Sequence, residues 1–391
     1  MNQGKRAATG LLSSAMQLTL VIALPAYCAI GQRSNLGPKQ RHHSTEWQVA
    51  SSFKFDLLCF VNLLTGDPFY QQHYQEEYLQ FAPRLTPAAR AALSELKRKV
   101  KDNNRNIISA FLSLHFSATD DETIDEMLQT LEQTGPMRRT LRGTAYFNAA
   151  GWRLFDSVRG DLKTVFLFLK SIGFDDYWRQ NILPKVQLRI TELEKELPKY
   201  NVVSEVEAHL GYALPSNKIT VFVLNYSRPH GIRITGTRFL CDLTYPLKVI
   251  LQTASHEMMH PPYDLEHDPE LRRALNGLRS DPFLMDKVAH HNPSFGYNSF
   301  EAFIEENCVR ALDQLIGERL KISGDAGRRW KAEDDGMHVF AVSLYSLLRQ
   351  ENYVAGKESF RDFLIRTIRS GKLGPGNIKP TYDAFYSSAS P

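Results

Sequence analysis

Thr253-Ala254-Ser255-His256-Glu257-Met258-Met259-His260 closes an apolar run that starts at Leu247, and the reading of this run decides the fold. It has the form H-E-x-x-H. Leu247 to His260 has the length and spacing of one helix, with Pro246 suited to its first position and Thr244 or Tyr245 near its cap. Residues four apart stack on one helix face, so His256 and His260 can direct two imidazoles at one metal ion. Glu257 is then carried beside that metal, where it can take a proton from a water. The competing reading is a buried helix with two hydrogen-bonded histidines.

The upstream sequence favours the metal. Lys218 to Asn225 is rich in branched and aromatic residues and reads as a strand. A turn-like Ser227-Arg-Pro-His-Gly231 follows, and Ile232 to Leu243 reads as a second strand. Strands leading into an H-E-x-x-H helix are the context of a zinc peptidase, with the sheet as one wall of the cleft. The first strand could then bind an extended peptide by edge pairing.

Zinc in a hydrolytic site takes three protein ligands and a water, so two histidines are not enough. A third histidine ten residues after the first, beyond a glycine, is excluded: those positions are Glu266 and Tyr263, and Pro261-Pro262 ends the helix. The remaining solution is a glutamate on a later helix, and Pro293 to Leu320 offers Glu301, Glu305 and Glu306. Spacing alone does not choose among them. A helical wheel sets Glu301 and Glu305 nearer the stripe of Phe300, Ile304, Cys308, Leu312 and Leu315, and so leans to Glu301. Glu306 falls on another face, between Ala302 and Gly317. All three also fit an exposed acidic run.

The His256 motif plus a helix glutamate resembles the gluzincin group of zinc metallopeptidases. More closely, these segments resemble a family of uncharacterised bacterial metallopeptidases known mainly as a domain of unknown function. There the motif is followed by a proline-containing turn, and the later helix carries Tyr-x-x-aromatic, then Glu-x-x-Val-Arg-Ala. Tyr297, Phe300, Glu306, Val309, Arg310 and Ala311 fall on that pattern without a gap. The resemblance spans Ile219 to Leu320 and implies that Glu306 joins His256 and His260 as the third zinc ligand. It departs in two places: Glu305 stands where gluzincins often have asparagine, and Pro261 follows the second histidine directly.

The activity implied is peptide-bond hydrolysis with Zn2+ as cofactor, a peptide or protein as substrate, and Glu257 as general base and then acid. Gluzincins also use a tyrosine or histidine to stabilise the oxyanion; His338, Tyr345 and Tyr382 are candidates. Arg310, one turn after Glu306, could pair with it, hold a substrate carboxylate or simply pack. The alternatives are a non-catalytic zinc-binding protein and a cell-envelope interaction protein on a zincin-like fold.

Outward from the motif, Phe53 to Leu197 is helical in pattern, clearest at Pro87–Lys101, Asn104–His115, Asp121–Glu132, Leu162–Ile172 and Ile182–Glu196. His73 and His115 are isolated there and read as core or surface residues. His290-His291 reads as a surface loop, Met337–Arg349 and Phe360–Ile368 as helices, and the tail from Ser387 as frayed. The fold expected is α+β, mostly helical, with a small sheet packed on the H-E-x-x-H helix in a thermolysin-like zincin core. The order expected is a signal peptide over 1–28, a polar tether over 29–52, a helical region over 53–200 and a catalytic domain over 201–391.

The signal reading rests on Lys5 and Arg6 ahead of an uncharged stretch from Ala7 to Gln32, an apolar run Leu11–Leu24, and small residues around Pro25–Ala29. It implies export to the periplasm or medium without stable membrane insertion. A membrane anchor built from the same segment is the alternative, weakened by Ser13, Ser14, Gln17 and Pro25. Tyr27 disfavours lipoprotein cleavage at Cys28. Lys5 and Arg6 leave with the segment, so 45 of the 47 basic residues face 43 acidic ones. That near balance excludes a nucleic-acid role based on a concentrated basic face. The four cysteines (28, 59, 241, 308) are too few for a disulfide framework and form no C-x-x-C.

Overall fold

The computed structural model describes residues 43–388 apart from 145, 293, 294, 296 and 354–357; the proposed signal peptide lies outside the described residues. The chain is mostly helical around one four-stranded sheet, as α+β requires. The strands are β1 (Glu46–Ala50), β2 (Lys218–Leu224), β3 (Ile232–Ile234) and β4 (Arg238–Asp242), in the order β1-β2-β4-β3. β1, β2 and β4 run parallel, and β3 is antiparallel to β4.

Three expectations are corrected here. The polar tether over 29–52 does not run to residue 52. Its last residues form β1, in register with β2 through Trp47–Ile219 and Val49–Val221. The stretch Ile232–Leu243 is not one strand, because Gly236 takes φ +74° and turns it into the β3–β4 hairpin. β2 is interior, paired on both sides, so it has no free edge for an extended peptide. It reads as a continuous apolar run because helices cover a parallel sheet on its faces.

The helical region therefore lies inside the connection between two neighbouring parallel strands. It is tied to the sheet in both directions. The Leu183–Glu196 helix packs on β1 and β2. From the Phe53–Leu64 helix, Phe55 meets Phe222 edge-on at 5.1 Å and Phe60 stacks on Phe174 at 4.4 Å. Asp56 of that helix accepts hydrogen bonds from the Asn225 and Tyr226 amides, each at 2.9 Å, and from the Trp178 indole at 2.8 Å. The buried apolar residues form one continuous cluster across residues 53–378, with no break at 200.

Cys59, Cys241 and Cys308 are all buried free thiols. A helix over Ile378–Ser388 takes in Ser387 and Ser388, the first two residues of the expected tail; 389–391 lie outside the described residues. Among the described residues no helix is long and apolar enough to cross a membrane.

His115 belongs to the core. Its ring stacks on Phe155 at 4.6 Å and its Nδ1–H donates to the Phe111 carbonyl at 2.8 Å. Burial pushes its pKa down to about 4 from 6.5. Between those values the unfolded chain binds a proton that the native chain refuses. This contribution is complete above about pH 6.5 and lost as pH falls toward 4, by about 3 kcal/mol in all. Urea unfolding from pH 7 to 4 should show a steeper loss for the wild type than for His115→Leu; parallel losses would refute the assignment.

Candidate metal centre

The H-E-x-x-H helix runs from Leu247 to Met259 with Pro246 at its N-cap, one position earlier than the sequence suggested. His260 is its C-cap, in extended conformation, so the helix ends one residue before the second histidine. Pro261 and Pro262 make further helix impossible. The exposed end carbonyls are not left to water: the Arg233 guanidinium, from edge strand β3, donates to the carbonyls of Glu257 and His260. Upstream, the 225–231 loop presses on the helix one turn before His256. A Cβ at Gly231 would stand 2.6 Å from Thr253 Cγ2, so only glycine permits that approach.

The glutamate helix, Phe300–Arg319, starts at Ser299, whose side chain accepts from the Ala302 amide. It packs against both the motif helix and the Val339–Gln350 helix. Nearly every residue from Phe303 to Gly317 is buried.

This packing brings three atoms together. His256 Nε2 and His260 Nε2 are 2.9 Å apart, and Glu306 Oε2 lies 3.4 Å from the first and 3.5 Å from the second. Tetrahedral zinc ligands at about 2.0–2.2 Å from the ion stand about 3.3–3.6 Å from one another; both distances to Glu306 fall in that range, and the two imidazole nitrogens, at 2.9 Å, are closer. The three residues are the one His/Cys/Asp/Glu group among the described residues arranged to hold a metal ion, and all are buried.

Each ligand is also held from behind. His256 Nδ1–H donates to Asp313 Oδ2 at 2.8 Å, and His260 Nδ1–H donates to Glu305 Oε1 at 3.1 Å. Both bonds leave the Nε2 lone pairs aimed at the shared point. Arg310 Nε donates to Glu306 Oε1 at 2.7 Å, whereas Glu306 Oε2 has no hydrogen-bond partner among the described residues.

The electrostatics fit a cation. Burial pushes the Glu306 carboxyl up, but the charges of His256 and Arg310 and the close approach of both histidines outweigh it and hold it well below the usual range. Burial likewise opposes ionisation of Asp313, but Arg329 and His256 bring it down to about 2. Burial pulls His260 down, yet Glu305 and Glu306 raise it to about 9, so a proton competes with metal for this imidazole. Five carboxylates (Glu257, Glu305, Glu306, Asp313, Glu333) gather here with three guanidiniums, Arg233, Arg310 and Arg329. That excess of carboxylates over guanidiniums suits a bound cation.

Glu257 is fully buried, and neither carboxylate oxygen has a hydrogen-bond partner among the described residues. Burial raises its pKa; His256, His260 and Arg233 pull it down, and Glu306 pushes it up again, leaving it above the ordinary range. A carboxyl held nearer neutrality suits a group that accepts and then returns a proton.

Protein-family models, curated proteins and solved structures give no match to this chain.

The structure groups Glu306, and not the wheel's Glu301, with the two histidines. Glu301 pairs with Arg279 near the surface and rims a cleft of about 320 Å³ with Leu265, Phe300 and Ile304. Glu305, an apparent departure, supplies the carboxylate on His260. Arg310 packs on Glu306, so its pairing role is the one observed. Tyr345 donates to Glu318, about 18 Å beyond Glu306 along the same helix, and Tyr382 joins Phe283 and Tyr386 in an aromatic cluster. Neither tyrosine is thereby brought to the ligands. His338 is buried at the N-cap of the Val339–Gln350 helix. His290 is exposed as expected, but His291 is buried, with its ring 5.5 Å from Phe303. Asp313, Arg233, Arg329 and Glu333 were missed. Asp313 was within reach, since it lies seven residues and so two turns after Glu306.

Proposed function

We propose that this chain is an exported, zinc-dependent peptidase of the gluzincin type. The observation that carries the reading is the convergence of His256 Nε2, His260 Nε2 and Glu306 Oε2 beside a buried, unpartnered Glu257. Two imidazoles and one carboxylate are the donor set of a hydrolytic zinc site. Zinc, when bound, supplies Lewis acidity toward a carbonyl oxygen and acidifies water. Glu257 accepts the proton of the attacking water at a carboxylate oxygen and returns it to the departing amine. Arg233 fixes the backbone from Glu257 to His260 by holding the carbonyls of both residues. An extended substrate adding to the sheet would use β3, the edge strand that carries Arg233.

One observation favours a second reading, a zinc-holding protein without turnover. His256, Glu257, His260 and Glu306 are at most 7% exposed, which resembles a closed structural site more than an open catalytic one. Metal analysis of the purified chain, followed by a peptide-library digest with and without chelator, separates the readings. About one zinc per chain with chelator-sensitive cleavage supports the peptidase. Zinc without cleavage supports the second reading. Absence of zinc even after adding it back removes both.

A further inference from the structure

Two of the three ligands are reached from outside, each through one intermediary, by a short helix and its C-cap. Ala326–Ala332 starts at Asp325, whose side chain accepts the Arg328 amide at 2.8 Å. It is anchored by Trp330, buried and edge-on to Tyr345 at 5.2 Å. Arg329 and Glu333 stand four residues apart on one side of this segment, and Arg329 Nε donates to Glu333 Oε2 at 3.3 Å. From there Arg329 reaches Asp313 with two bonds, Nη1 to Oδ1 at 2.6 Å and Nη2 to Oδ2 at 3.1 Å. Glu333 Oε2 also accepts from Arg310 Nη1 at 3.3 Å. Asp313 is the group on His256 Nδ1, and Arg310 is the group on Glu306 Oε1.

These contacts close a circuit. From His256 it runs through Asp313, Arg329, Glu333 and Arg310 to Glu306, and it returns across the facing Nε2 and Oε2 atoms. All members except Arg329 and Glu333 belong to the two helices that carry the ligands. We propose that the 326–333 segment is a bracket whose ordering is coupled to the metal, with Arg329 and Glu333 as positioning residues for His256 and Glu306; this rests on the metal-centre reading above. Neither residue reaches a ligand atom itself. The planar guanidinium fork of Arg329 fixes both Asp313 oxygens, so the direction of the His256 ring is set from outside the ligand helices. Coupling of this kind is reciprocal: a bracket that tightens metal binding must be tightened by the metal.

The test uses the full chain and zinc itself. Competition titration against a chelating dye should show zinc affinity weakened about 10–100-fold in Arg329→Gln, partly recovered in Arg329→Lys, and reduced less in Glu333→Gln. Arg328→Gln, at a side chain 93% exposed, should match the wild type. Hydrogen exchange over 326–333 should slow when zinc is added to the metal-free wild type, and should not respond in Arg329→Gln. The bracket is overturned if a folded Arg329→Gln chain binds zinc as tightly as the wild type. It is equally overturned if zinc leaves wild-type exchange over 326–333 unchanged, a comparison that decides the matter even if the variant fails to fold. A wild type that binds no zinc would instead bring down the metal-centre reading, and the bracket with it.

Discussion

Glu306→Ala should leave the chain without metal, taking the content from about one zinc per chain to none, while Glu301→Ala keeps it. Removing Glu306 takes away the oxygen that lies within 3.5 Å of both imidazoles, and with it the one anionic ligand. Two imidazoles alone do not complete a hydrolytic zinc site. The loss has a second component. Arg310 is 1% exposed and donates to both Glu306 and Glu333, so truncation takes one of two carboxylates from a buried guanidinium and should also lower stability. Glu306→Gln separates the two effects, because the amide still accepts from Arg310 but carries no charge. Elemental analysis beside thermal melts gives both quantities. Chelation should lower the wild-type melting temperature, since a ligand at a thousand times its Kd contributes about 4 kcal/mol to the folded state. Zinc retained at one per chain in Glu306→Ala would remove Glu306 from the site, and zinc lost only in Glu301→Ala would return the ligand to the helical wheel's choice.

That wheel went astray for a physical reason. It assumes one apolar face and one wet face, but the glutamate helix is buried nearly all round from Phe303 to Gly317 between the motif helix and the Val339–Gln350 helix. A stripe then says little about where a carboxylate points. Ala302 and Gly317 are no better guide, because Gly317 closely approaches Ser323 of the loop that follows its own helix. The motif helix itself was legible because prolines bound it at 246 and 261 and its histidines are four apart. β2 was legible through its branched residues. β1 was not: Glu46–Ala50 is too short to show a period, and the strand it pairs with is separated from it by the entire helical region. Single-segment reading cannot find such long-range parallel pairing. Asp313 could have been found by counting two turns from Glu306. Arg329 and Glu333 could not, because their place depends on how a separate helix docks.

Glu257→Gln should keep the zinc and abolish most of the cleavage, lowering kcat by about 10²–10⁴-fold. The substitution preserves shape at a position that is fully buried, and it breaks no hydrogen bond, because neither oxygen of Glu257 has a partner among the described residues. What it removes is proton-accepting capacity beside the two histidines. It also removes one negative charge from the group that balances the cation, so zinc should bind somewhat more weakly without being lost. A buried acid without hydrogen-bond partners is destabilising, and its presence beside the two histidines is accounted for by a chemical step that uses it. The native chain should accordingly be less stable than Glu257→Gln in the metal-free state, where that carboxyl gains nothing from the ion. Kinetics on a cleaved peptide, zinc content and metal-free unfolding would be measured on the same preparation. Lost cleavage with retained zinc and raised metal-free stability would mark Glu257 as a group held at a cost for chemistry. Unchanged cleavage would mean that the proton is carried elsewhere.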